Sequence, residues 1–423
     1  MKKFTCFFNI LLFAAVSIQA IDWDPDSYGS ITDYLESIYG IDDNAGLTAF
    51  PILNIPIGGR AEGMAGAYSA VADDVSFIEW NPAGSSMLTV SELAFFHNNW
   101  IADTKIEGLA YAARFNHLGI GVSGKWLYTP FTQYSYFGER LSKGYYSEAV
   151  AVLNGSYTLL PGYYFSGVSV GVNLKGALRS MPDYADESGK VRSGSGGEQS
   201  ATALLLDIGG LTRFNLFKFY NSRDRNTSAA FVIRNIGLPV LGDPLPAVVV
   251  AAVSYRPIRP VLLSFDLSFP VNTVDITLSE KPYWAAGLSI TATTFLSMRA
   301  GLLMKAGGIR AVIGSAIDLQ YINFDVNYTL DLLTQLQPLN RVALGVRFNL
   351  GDNDRKSKSA LVDEYYLAGL DAYSKANDAE ARIWFERALE VNPRFEPAQE
   401  ALQALEEYRK LNDRIEQMRR LDY

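Results

Sequence analysis

The chain is poor in the side chains that carry most enzyme chemistry. Among 423 residues there is one cysteine, Cys6, and there are two histidines, His97 and His117. Cys6 falls inside an N-terminal segment that reads as a removable leader, so the mature chain should hold no disulfide, thiol nucleophile or thiolate metal site. It also sits too early to be a lipid-modified cysteine. Neither histidine has a second histidine at a metal-ligand spacing, and no serine lies in a nucleophile elbow. No catalytic constellation is present, and neither an enzyme activity nor a cofactor or metal is expected. Charge is scarce as well, with 19% charged residues and a net charge of −8. Phosphate binding depends on clustered positive charge, so no nucleic-acid partner is expected. Long apolar runs are missing too. After the leader no stretch approaches the roughly 18 uninterrupted apolar residues of a membrane helix. The strongest run, 248–253, is strand-length.

What is present begins with the leader. Lys2 and Lys3 precede an apolar stretch over residues 4–16 and small or polar residues from Ser17 to Ala20. That is the layout of a secretory signal peptide, read here as 1–20 with cleavage after Ala20. The apolar stretch is shorter than the roughly 20 residues a spanning helix needs. Aromatic residues reach 13% and glycines number 35.

Along the middle of the chain apolar and small or polar residues alternate, which puts them on opposite faces of a strand. Leu118, Ile120, Val122 and Trp126 oppose Gly119, Gly121, Ser123 and Lys125. Ile322, Phe324, Val326, Tyr328 and Leu330 oppose Tyr321, Asn323, Asp325, Asn327 and Thr329. The segments 260–270 and 340–350 repeat the pattern. One face suits lipid and the other a polar lumen, so the fold class expected is an all-β transmembrane β-barrel over 92–350. Counting gives roughly 14 antiparallel strands, each about as long as a tilted membrane strand requires. They are read as 92–101, 105–115, 118–128, 145–159, 163–179, 201–217, 227–236, 246–256, 260–270, 283–292, 295–305, 308–318, 320–330 and 340–350. Short links such as Asn116-His117 and Thr293-Thr294 mostly alternate with long ones at 129–144, 180–200, 237–245, 271–282 and 331–339; the exception is 218–226, a charged inside turn longer than expected. Barrels of this class show that alternation between periplasmic and outer sides, and an even strand number leaves both chain ends in the periplasm. The competing architecture, a soluble β-sandwich, is disfavoured by the many consecutive strands with one nearly continuous apolar face.

The preceding stretch, 21–91, has different chemistry. Residues 58–84, GGRAEGMAGAYSAVADDVSFIEWNPAG, are rich in small residues that let backbone pack closely, with a turn signal at Asn81-Pro82. Its glycines do not fit a phosphate-cradling spacing. Asp73-Asp74 alone reads as a solvated turn. The order of Gly59-Arg60-Ala61, Gly63-Met64, Gly66-Ala67-Tyr68, Ala72-Asp73-Asp74 and Asn81-Pro82-Ala83-Gly84 resembles the N-terminal hatch of FadL-type long-chain fatty acid transporters and their PorV-like relatives. The resemblance covers about residues 50–350 and implies a fourteen-stranded barrel plugged by a hatch, in a family whose members move hydrophobic compounds across the outer membrane. It places Arg60, Asp73, Asp74, Asn81, Pro82 and Ala83 in the hatch, the last three where it meets the wall near a lateral opening. This chain departs from the family pattern in an acidic, tyrosine-containing stretch from Asp22 to Asp43. With its helical tail, the whole is similar to the FadL-like proteins of treponemal spirochaetes.

After Leu350 a charged linker, 351–360, leads to a helical region, 361–423. Tyr365, Gly369, Ala381, Phe385, Ala388 and Pro393 fall at the positions of a single tetratricopeptide repeat, with a third helix over about 396–420 able to cap it. The functional expectation is an outer-membrane channel that binds a hydrophobic small molecule or fatty acid and passes it inward, in contact with outer-membrane lipid. Phe131, Tyr134 and Phe137 in the first long outer loop could form a capture surface, or equally an aromatic girdle. Lys125, Arg299, Arg310, Arg341 and Arg347 on the lumenal faces could hold a carboxylate head group. They could as well pair with Asp266, Asp318 and Asp325, read as facing inward too, and hold the hatch. The alternative from another class is a structural or assembly protein whose tail, 361–423, recruits a periplasmic protein.

Overall fold

The computed structural model describes residues 42–100, 103–182, 184–185, 191–192, 200–305, 308–331 and 340–421. The leader, most of the acidic stretch after it and most of the loop at 331–339 lie outside the described residues. The alternating segments form fourteen strands: β1 (Glu92–Asn99), β2 (Lys105–Phe115), β3 (Leu118–Tyr134), β4 (Arg140–Leu159), β5 (Val168–Ser180), β6 (Ala201–Phe214) and β7 (Thr227–Gly237), then β8 (Ala247–Ile258), β9 (Val261–Val271), β10 (Tyr283–Thr291), β11 (Leu296–Lys305), β12 (Gly308–Asp318), β13 (Ile322–Asp331) and β14 (Arg341–Asn349). Each pairs antiparallel with the next, and β14 pairs with β1 from Glu92↔Asn349 to Asn98↔Ala343, closing the barrel. Closure leaves no unpaired edge, the condition for strands to sit in lipid.

Side chains fall on the faces that the alternation requires. Leu118, Ile120, Val122 and Trp126 are 40–49% exposed on the outer wall, whereas Ser123 and Lys125 between them are 8% exposed. An outer face this apolar has no place in water; it matches a hydrocarbon surround.

The larger differences from the sequence reading fall at three places. β3 and β4 run on through the stretch read as an outer loop at 129–144, pairing Thr129↔Tyr146 and Phe131↔Gly144 up to Tyr134↔Arg140. Threonine and aromatic residues favour extended backbone, so the ladder continues as a ribbon until the turn at Ser135–Glu139, where Gly138 takes φ +80°. β5 starts at Val168 rather than 163, because residues 160–167 fold into a turn with Gly167 at φ +82°. β6 stops at Phe214 rather than 217, where Asn226 accepts from the Leu216 N–H and donates to the Leu216 carbonyl.

Beyond the barrel, α-helices run over Arg355–Ser374, Asp378–Val391 and Glu396–Leu421. The first begins inside the stretch read as a linker: Asp354 holds the N-cap position without a side-chain cap bond, and Asp352, two residues before it, accepts the Lys356 N–H at 3.0 Å. Asn377 starts the second through a reciprocal pair with Glu380, accepting its N–H and donating to its carboxylate at 2.8 Å. Phe385 is buried between the first two helices, and a Cβ on Gly369 would stand 2.5 Å from its ring. The helical unit docks on one end of the barrel. Glu396 accepts the Tyr164 N–H at 3.2 Å, Glu400 accepts the Tyr164 hydroxyl at 3.1 Å, Phe395 meets Tyr163 edge-on, and Asp363 pairs with Arg223.

Two outcomes test this architecture. The detergent-extracted chain should migrate faster unboiled than boiled, and an unchanged mobility would exclude a closed barrel. Gly369→Val should push Phe385 out of place and destabilise the helical unit by about 1–3 kcal/mol. Helical ellipticity should then melt earlier while the gel shift stays as it was.

Candidate functional site

The barrel lumen is filled by the N-terminal segment, and its fit depends on what the wall omits. Short helices at Gly59–Gly63 and Phe77–Trp80 and a 3₁₀ turn at Pro82–Met87 lie against the inward strand faces. A Cβ on Gly119 of β3 would stand 2.2 Å from the Ser85 and Ser86 backbone, and one on Gly171 of β5 would stand 2.3 Å from the Pro82 carbonyl oxygen. A Cβ on Gly301 of β11 would meet Met64 and Ala65 backbone at 2.3–2.4 Å. The inward glycines are therefore the places where backbone touches wall.

Irregular backbone enclosed this way must find hydrogen-bond partners, since water is excluded. The wall's polar residues supply them. Asn154 donates to the Pro82 carbonyl at 2.9 Å, Asn173 to that of Ile78 at 2.9 Å, Asn327 to that of Gly59 at 2.7 Å and Ser264 to that of Ala67 at 2.7 Å. Asp266 accepts the Ser69 N–H at 2.9 Å, and Ser156 accepts the Ser86 N–H at 2.7 Å. Asn81 opens the 3₁₀ turn by accepting the Ala83 N–H at 3.0 Å and donates to the Ser69 carbonyl at 2.8 Å; Pro82 follows in the first-turn position where its missing N–H costs nothing.

Charges within the lumen are largely neutralised by one another. Lys125 pairs with Glu79, and Lys175 with Asp207 at 2.7 Å. Arg179 pairs with Glu148 at 3.1 Å and Arg341 with Glu62 at 3.2 Å. Asp325 takes both Arg299 and Arg347, and Arg347 reaches Asp74 of the segment at 2.8 Å. Arg60 pairs with Asp73 at 2.7 Å, and the Tyr68 hydroxyl donates to the same carboxylate at 3.1 Å. The Asp73-Asp74 pair is accordingly no solvated turn: Asp74 is 3% exposed and tied to the wall. Of the basic residues read as head-group anchors, Lys125, Arg299, Arg341 and Arg347 meet carboxylates of the protein itself, and Arg310 lies over Trp100 at 6.0 Å. Asp318, read as inward, is exposed at its strand end and accepts the Gln320 N–H at 2.8 Å.

Above the segment, at the barrel end opposite the helical unit, remains a cavity of about 380 Å³. Trp80, Trp100, Arg234, Asp266, Val248 and Leu303 are among its lining residues. The ribbon residues Phe131, Tyr134 and Phe137 do not line it; they are 39%, 61% and 88% exposed along or at the tip of the β3–β4 hairpin. A second hollow, about 790 Å³, lies on the outer wall over Gly124, Ala151 and Gly176, bordered by Trp126 and Leu178. Trp80, Arg234, Glu62 and Glu79 escaped the sequence reading. Glutamates inside short apolar stretches, as in FIEW, were the available signal. Among the described residues no cluster of His, Asp or Glu could hold a metal ion.

Residues 39–353 match the model of the family described as Uncharacterised protein family (UPF0164). Two relatives from Treponema pallidum (strain Nichols), each a UPF0164 protein, are 28% and 27% identical, over 85% and 86% of this chain and 83% and 76% of their own length. Among solved structures, the CymD monoaromatic hydrocarbon channel aligns with a TM-score of 0.48 and 12% identity over 72% of this chain and 100% of its own. The Ralstonia pickettii toluene transporter TbuX aligns with a TM-score of 0.44 and 9% identity over 72% of this chain and 99% of its own.

Removing one partner from a buried ion cluster leaves the others uncompensated, at about 3–5 kcal/mol. Asp325→Ala, which strands Arg299 and leaves Arg347 to Asp74 and Glu92, should therefore lower the urea midpoint of the barrel by more than Asp73→Ala, whose partner Arg60 is 17% exposed. Equal effects would show that the Asp325 cluster contributes no more than the partly exposed pair.

Proposed function

The chain belongs to the uncharacterised protein family UPF0164, and from that premise we propose that it is an outer-membrane channel that takes up small hydrophobic compounds, which bind above an N-terminal hatch and are released past it. The observation that carries this reading is a closed barrel with an apolar outer wall whose lumen is occupied by a separate segment, leaving a partly apolar cavity at one end. Such a segment can move without opening any strand ladder, because it meets the wall through side-chain hydrogen bonds and ion pairs rather than backbone pairing. In this reading the helical unit lies in the periplasm, on the side of the links at 160–167 and 215–226, and the cavity faces outward. Cargo passes unaltered. Long-chain fatty acids belong to the cargo class through their apolar tails, but Arg299, Arg341 and Arg347, which would have gripped a carboxylate, already pair with carboxylates of the protein.

The assembly reading draws on one feature. Tyr408, Leu411, Ile415 and Met418 recur at intervals of three and four along the last helix and are 37–58% exposed, a stripe on which a periplasmic protein could dock.

Flux of an apolar fluorescent probe into liposomes carrying the purified chain tests the channel. Asn81→Ala with Pro82→Ala removes the cap of the 3₁₀ turn, worth about 1 kcal/mol. That should raise the open population, and hence the flux, about fivefold while the gel shift is retained. Flux no greater than in protein-free liposomes would overturn the channel reading.

A further inference from the structure

We propose that the helical unit is a latch on the lumenal segment: Arg355, in the first turn of the first C-terminal helix, clamps the chain where the segment joins β1, and lifting the helices off the barrel end withdraws the clamp and loosens the segment. The latch is a device beyond the channel reading, and only its effect on flux rests on that reading.

Among the described residues the segment has one covalent link to the wall, residues 88–91, between the 3₁₀ turn at Pro82–Met87 and β1. Its opposite end meets the barrel through hydrogen bonds. Asp42 accepts the Lys281 N–H at 2.7 Å, Asn44 donates to the Ser279 carbonyl at 3.3 Å, and the Ala49 N–H donates to the Pro244 carbonyl at 2.8 Å. A displacement of the segment that leaves the strand ladders intact therefore turns about 88–91. At this pivot the Leu88 and Thr89 carbonyls accept no backbone N–H among the described residues. Arg355 takes both, donating through Nη1 to Leu88 at 3.0 Å and through Nη2 to Thr89 at 2.7 Å. Arg114 of β2 adds a longer bond to the Leu88 carbonyl, at 3.3 Å. The two shorter of the three bonds thus come from the helical unit, and a charged donor makes them stronger than ordinary backbone pairs.

The fork is aimed by where the helix starts. Arg355 Nε donates to the Asp352 carbonyl at 2.8 Å, and Asn353 and Asp354 take φ +54° and +60° in succession. Asn and Asp tolerate that region better than other side chains do, but two in a row are costly, so the turn needs support from contacts further along the helices. Those contacts lie on the links at 160–167 and 215–226: Asp363 with Arg223, Phe395 with Tyr163, and Glu396 and Glu400 with Tyr164. Arg225 ties the two links together by donating to the Tyr163 and Tyr164 carbonyls at 2.6 and 2.9 Å. The polar contacts are exposed, and exposed ion pairs and hydrogen bonds are individually weak, so the helices can leave the barrel end without opening a ladder. Arg114 and Arg355 bring like charges to one oxygen, and their repulsion favours release as well.

Hydrogen exchange of the full chain in nanodiscs, read by mass spectrometry, tests the latch on peptides covering 82–91, where the Ser86 N–H pairs with Ser156 of the wall. Arg355→Met should speed exchange there about tenfold, what one charge-assisted hydrogen bond is worth to a local opening. Arg355→Lys keeps the charge but not the fork and should speed it about threefold. Tyr163→Ala, Tyr164→Ala and Arg223→Ala together undock the helices with Arg355 in place and should speed exchange of the same peptides, while β9 and β10 keep their rates. Adding Arg355→Met to the undocked variant should give no more than Arg355→Met alone, because both act through one clamp. Unboiled gel mobility and helical ellipticity verify the fold of each variant. Additive effects, or unchanged exchange at 82–91 in either Arg355→Met or the undocked variant, overturns the latch. Should the undocked variant fail to fold, the order Met above Lys above the unaltered chain decides. Apolar-probe flux should rise with Arg355→Met; flux absent from every variant sinks the channel reading and leaves the latch standing.

Discussion

Everything inside this barrel depends on how closely a folded backbone can lie against a wall of strands. At Gly119, Gly171 and Gly301 the approach leaves no room for a methyl group, and between those contacts asparagine and serine side chains reach in to pair the peptide groups of the segment. A larger inward face would have expelled the segment, and a purely apolar one would have left its backbone unpaired in a dry interior. The same two residue classes thus determine both that the lumen is filled and by what.

Charge follows from that enclosure. Once water is excluded, each buried cation needs an anion nearby, and the carboxylates come from both wall and segment: Asp325, Asp207 and Glu148 from strands, Glu62, Asp74 and Glu79 from the segment. Pairs that cross from wall to segment hold the segment through interactions that can break and re-form without disturbing a strand ladder.

The helical unit is joined to the same system at its first residue. Arg355 donates to the Leu88 carbonyl at 3.0 Å and to that of Thr89 at 2.7 Å, where the segment leaves the lumen for β1. Asn353 donates to the Arg114 carbonyl at 2.9 Å, and Arg114 itself reaches the Leu88 carbonyl at 3.3 Å. The end of the barrel, the exit of the segment and the start of the helices therefore share one hydrogen-bond cluster, beside the Tyr164 contacts to Glu396 and Glu400.

By itself the sequence determined the barrel, its strand number and most strand limits, because alternation is a local property: a residue's face depends only on its parity along the strand. It also determined that a small-residue segment precedes the barrel and that helices follow it. It left open the length of the β3–β4 ribbon, where aromatic residues serve strand and loop equally well. Only the tertiary structure decided the roles of the charges. Lys125, Arg299, Arg341 and Arg347 read alike along the chain as cations on a lumenal face, and whether each meets a carboxylate or a cargo depends on residues up to hundreds of positions away. The cavity bordered by Trp80, Arg234 and Asp266 was hidden for the same reason: it exists only where the lumenal segment, β7 and β9 come together, and no local pattern encodes a space between distant segments.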